Sequence, residues 1–83
     1  MNYSGPVRIT LDGALLTVGT VEVKDDEETG TWTGTLTVLD DTAVAGKALV
    51  VDLVMGDQIG RAQLIPEGVQ GEFATSRVVG LVQ

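Results

Sequence analysis

The sequence predicts a small all-β domain, and three observations carry that prediction. Thirteen valines and ten threonines in 83 residues enrich the chain in β-branched side chains, which fit a pleated surface better than a helix. These residues fall in short alternating runs. The clearest is Thr31-Trp32-Thr33-Gly34-Thr35-Leu36-Thr37-Val38, where a period of two sets Trp32, Leu36 and Val38 on one face and the threonines on the other. Gly and Asp-Gly punctuate the runs where turns are needed. The architecture expected over residues 1–83 is a single domain, a six-stranded antiparallel meander closing into a barrel or folding over as a two-layer sandwich.

The first strand is Val7-Arg8-Ile9-Thr10-Leu11, with Val7, Ile9 and Leu11 inward, and it leads into the hairpin signal Asp12-Gly13. The second runs from Ala14 to about Lys24. Its apolar phase switches between Leu16 and Val18 on one side and Val21 and Val23 on the other, which predicts a bulge or bend at Gly19-Thr20. Four consecutive acids, Asp25-Asp26-Glu27-Glu28, followed by Thr29-Gly30, predict an exposed turn. The third strand spans Thr31 to about Leu39, and Thr42 to Gly46 form a small-residue connection.

Leu49-Val50-Val51-Asp52-Leu53-Val54-Met55 is apolar on both faces except at Asp52, as in a strand covered on both sides or placed at an interface. Gly56-Asp57 turns the chain into a fifth strand, Gln58 to Ile65, carrying Ile59, Ala62, Leu64 and Ile65 and stopped by Pro66. A last strand or pair of short strands runs from Val69 to Val82, with Phe73, Val79 and Leu81 in one phase. No fixed-period repeat, linker or low-complexity tail is evident.

A chain this short buries only roughly 60–65% of the surface its unfolded form exposes. Without cysteine there is no disulfide to reinforce a thin core, so sheet closure or a partner subunit must contribute. The N-terminal residues lack a basic and apolar export pattern, and no apolar run approaches membrane-span length. The expectation is a soluble protein, cytoplasmic or virion-associated, with no export signal and no membrane partner. Twelve acids against five basic residues give a net charge of −7, which repels nucleic-acid phosphates and argues against direct nucleic-acid binding. The same field attracts basic partners, which leaves open an acidic inhibitor of a basic or nucleic-acid-binding protein.

Candidate functional residues are few. With no histidine and no cysteine, histidine-assisted nucleophiles and the usual zinc sites are excluded. Gly56-Asp57-Gln58-Ile59-Gly60-Arg61 lacks a phosphate-loop lysine. The acidic turn Asp25, Asp26, Glu27 and Glu28 reads as a solvated turn or an interaction site. It lacks the alternating ligand spacing and turn glycine of an EF-hand calcium loop. Asp52 is the most anomalous residue, because a carboxylate within an apolar strand must be solvated, paired or protonated. Arg61 and Arg77 are the available cross-strand partners. Together with Val50 and Val54, these residues mark either a buried polar site or an interface. Trp32 reads as core. No cofactor or metal is expected, and no second carboxylate can be located to complete a hydrolase with Asp52.

Tyr3-Ser4-Gly5-Pro6-Val7 followed by Asp12-Gly13, then Thr31-Trp32-Thr33-Gly34 and Gly60-Arg61-Ala62-Gln63-Leu64, resembles a loose group of small uncharacterised β-barrel proteins of actinobacteria and their phages and prophages. The resemblance covers most of the chain in order. It implies a compact barrel of accessory type and brings no catalytic residues with it. The acidic hairpin Asp25 to Glu28 departs from the group's pattern. The leading expectation is a non-catalytic interaction or structural protein that associates with itself or docks on a larger protein assembly, such as a phage capsid decoration. The alternative is a small ligand-binding barrel polarised by Asp52 with Arg61 or Arg77.

Overall fold

A computed structural model describes residues 1–81, and they form six antiparallel strands closed into a barrel. The strands are β1 (Tyr3–Leu11), β2 (Ala14–Asp26), β3 (Thr31–Leu39), β4 (Leu49–Met55), β5 (Gln58–Gln70) and β6 (Phe73–Gly80). The all-β class and the barrel expected from alternation are therefore present. The strand order is not the nearest-neighbour meander. Around the barrel it is β1-β2-β3-β6-β5-β4, so two three-stranded meanders join through β3 with β6 and β4 with β1. The connection 40–48 must consequently span the barrel end where β3 finishes and β4 begins. Its Val44 is fully buried in the core and Thr42 closes turns at its start, so the connection acts as a plug.

Hairpin chemistry explains the local joins. Asp12 (φ 52°) and Gly13 (φ 83°) both take the left-handed conformation that a two-residue turn needs to match strand twist. The two joins between the meanders are unequal. Thr33–Leu39 of β3 pairs with Phe73–Val79 of β6 along its length, whereas β1 meets β4 only where Arg8–Thr10 faces Asp52–Val54.

The core is a single cluster within the barrel, built from Val7, Ile9, Val21, Val23, Leu36, Val38 and the corresponding inward residues of β4, β5 and β6. Leu11, expected inward, lies at the exposed end of β1. Trp32 is half-buried and packs on the core at the end opposite Val44. It lies across Gly60 and Gly80: a β-carbon added at Gly60 would stand 2.6 Å from its Cζ2, and one at Gly80 would collide with the indole outright. These two positions require glycine because the indole occupies the space above their backbones.

Four further expectations are corrected. The bulge of β2 is at Leu16, left unpaired between Ile9↔Thr17 and Thr10↔Leu15, rather than at Gly19-Thr20; Val18 is consequently outside the barrel. The acidic turn is shorter than expected, because Asp25 and Asp26 continue β2 opposite Trp32 and Thr31. Pro66 does not stop β5, which continues to Gln70 through a bulge at Glu67. In β6 the inward phase is Ala74, Ser76, Val78 and Gly80, opposite to the expected one, because a six-stranded barrel has room only for small side chains there. The expected strand end at Val82 lies outside the described residues.

Candidate interaction surface

Closure removes most edges but leaves two faces on every strand, and here the outer face carries several large apolar side chains. Val51, Leu53 and Met55 of β4 point into the core, and the alternate row Val50, Asp52, Val54 lies on the outer wall. Val50 is 39% exposed and Val54 partly so, so among the described residues nothing covers the row completely. Asp52 stands on that wall directly opposite Arg61 of β5 and Thr10 of β1. Arg77, opposite Ile65 and Thr35, is elsewhere on the barrel. Among the described residues the one ion pair joins the Met1 amino group to Asp25, so Asp52 and Arg61 are cross-strand neighbours without bonding. Partial exposure meets the need of Asp52 for water that its apolar neighbours imposed in the sequence.

The acidic segment divides into separate tasks. Asp25 pairs with Met1 and its backbone N–H donates to the Asn2 side chain at 3.1 Å. Asp26 organises the turn: its carboxylate accepts the Glu28 N–H at 3.0 Å and the Thr33 hydroxyl at 3.2 Å, while its carbonyl accepts the Gly30 N–H. Glu27 and Glu28 are exposed at the tip. Among the described residues no group of three or more acids converges on a common point that would hold a metal ion.

A groove of about 560 Å³ crosses the outside of β1 and β2, from Val54 on β4 to Leu39 and Phe73 at the end of the β3–β6 ladder. Arg8 and Val18 border it, and the buried Val7 and Val38 form part of its floor. Its position follows from strand length. β3 pairs with β2 only from Thr20 onward and ends two residues later at Leu39, so Gly19 still lies against Thr37 and Val38, and among the described residues Ala14 to Thr17 have no strand partner on the β3 side. Along the barrel axis the space is filled by the core side chains, and this apolar concavity is on the outer wall.

Sequence reasoning placed Val50, Asp52, Val54 and Arg61 together, and they do share one region of β4 and β5. It missed Leu15, Val18, Leu39 and Phe73. The signal was present in Leu15-Leu16, where two adjacent leucines cannot both face the interior of a regular strand. Ser76 was also missed; its hydroxyl is buried inside the barrel and has no hydrogen-bond partner among the described residues. Comparison with known proteins finds no family model, curated protein or solved structure that matches this chain.

Proposed function

We propose that this chain is a non-catalytic interaction protein, a small barrel that self-associates and serves as an accessory subunit of a larger protein assembly. The observation that carries the reading is the apolar outer wall. Val18 at 57%, Leu39 at 49% and Phe73 at 49% exposure line one groove, and Val54 at its β4 border continues it into the partly covered row with Val50. Such clusters rimmed by polar residues mark contact surfaces, since single scattered apolar residues need no explanation but grouped ones do. The thin core of an 83-residue, cysteine-free chain supports the same reading, because association adds burial that the monomer lacks. A phage capsid decoration is the kind of accessory role that the sequence resemblance suggests.

Native mass measured across a concentration series tests the proposal. A species heavier than the 8.7 kDa chain that grows with concentration is expected. A single-chain mass throughout, together with no binding to structural proteins of a candidate assembly, would overturn it.

A further inference from the structure

We propose that the contact between copies is an antiparallel pairing of the free β2 edges, Ala14 to Val18 of one chain against the same segment of a second copy. This rests on the self-association reading above and names the surface that performs it. The backbone ladder is the first argument. Residues 14–17 pair with β1 on one side only, and on the other side β3 ends at Leu39, beyond its last rung with β2 at Thr20↔Thr37. Among the described residues no strand pairs with the side of residues 14–17 that faces that gap, and an unpaired row of N–H and C=O groups is a template for another extended strand.

The second argument is what lies beside the edge. A strand added there occupies the place β3 would have taken had it continued, and its side chains pass over Val18, Leu39 and Phe73 of the groove. Leu15, 58% exposed, extends the apolar row toward the hairpin tip.

Charge selects a second copy as the occupant. The chain carries a net charge of −7, yet no ionisable residue interrupts Ala14-Leu15-Leu16-Thr17-Val18-Gly19-Thr20-Val21. Two copies therefore meet with least repulsion along this stretch. The flanks are complementary under a two-fold axis: Arg8 stands beside Val18 on β1, and Asp12 precedes Ala14 at the hairpin turn. Antiparallel pairing sets the Arg8 end of each copy alongside the Asp12 end of the other. Identical edges related this way form a closed, self-complementary contact that stops at the dimer.

The test combines sedimentation analysis with hydrogen exchange on the full chain. Amides in Leu15–Gly19 are expected to gain protection as concentration rises, in step with a mass of two chains. Leu15→Lys and Val18→Lys, both on exposed positions, are expected to weaken the dimer by about tenfold or more while leaving monomer melting unchanged, since a lysine in an apolar contact loses hydration. Val50→Lys is expected to leave the dimer intact. Concentration-dependent protection confined to 50–54, or a dimer lost with Val50→Lys and kept with both edge variants, overturns the edge pairing while self-association stands. A wild-type chain that never dimerises overturns both. The exchange measurement decides the matter on wild-type protein even if a lysine variant fails to fold.

Discussion

The two long strands, β2 and β5, occupy equivalent places at the centre of their meanders, and each carries one bulge. Their unpaired halves are treated in opposite ways. On β5, residues 65–70 extend past the start of β4, and this edge contains Pro66, a bulged Glu67 and Gly68. Proline removes a donor, the bulge twists the edge and the glutamate adds charge, three devices that discourage another strand from pairing. On β2, residues 14–17 extend past the end of β3 with two leucines and neither charge nor proline, the bulge at Leu16 being the one device that both edges share. The contrast shows that closure of a six-stranded barrel does not abolish edges when the central strands outreach their neighbours. It also shows that this chain guards the β5 edge at 65–70 with proline and charge and leaves the β2 edge at 14–17 without either.

The largest effect is expected within the paired half of β2. Gly34 faces Val23, and a β-carbon there would collide with the Glu22 carbonyl and lie 2.7 Å from the Val23 Cα. Neither atom belongs to a flexible side chain. Gly34→Ala is expected to destabilise by about 3 kcal/mol or more, read by urea denaturation. A loss under about 1 kcal/mol would show that the β2–β3 ladder yields as easily as the open half does.

An intermediate effect is expected from removing the guard on β5. Pro66→Val restores a backbone donor and a β-former to the exposed edge, next to Ile65 and Val69. We expect increased light scattering or a second, larger oligomer beyond the β2-edge dimer, with the monomer melting temperature shifted little. Unchanged scattering at high concentration would mean that the bulge alone suffices, or that the edge was never a hazard.

The smallest effect concerns β6, the strand that joins the second meander to the first through its ladder with β3. The Ser76 hydroxyl is buried opposite Pro66 and unpartnered among the described residues. Burying such a group without a partner costs about 1–3 kcal/mol, so Ser76→Ala is expected to stabilise by about 1 kcal/mol and raise the melting temperature by roughly 4–8 °C. A decrease would reveal a partner for the hydroxyl in solution, such as an ordered water.

Much of the fold was legible because alternation and turn chemistry are local. The bounds of β3 at Thr31–Leu39 and β4 at Leu49–Met55, and the turns at Asp12-Gly13 and Gly56-Asp57, follow from the residues themselves. The anomaly at Asp52 and the two-sided apolar character of β4 were equally visible. Which face of β4 would be enclosed was also readable from the larger side chains Leu53 and Met55, which the core accepts.

Sequence by itself determined the class, the strands and most inward phases, since a period of two and a favourable turn residue depend only on neighbours in the chain. Tertiary structure decided the partners. A strand's alternation states which side is apolar but not which strand lies beside it, so the pairings of β3 with β6 and of β1 with β4 depend on how the two meanders close. The same closure decided that Phe73 faces out and Ser76 in, because the narrow interior admits only small side chains on β6. It also decided that Ala14 to Thr17 would outreach β3. An open edge is a property of two strands' relative lengths and register, and no single segment of the chain encodes it.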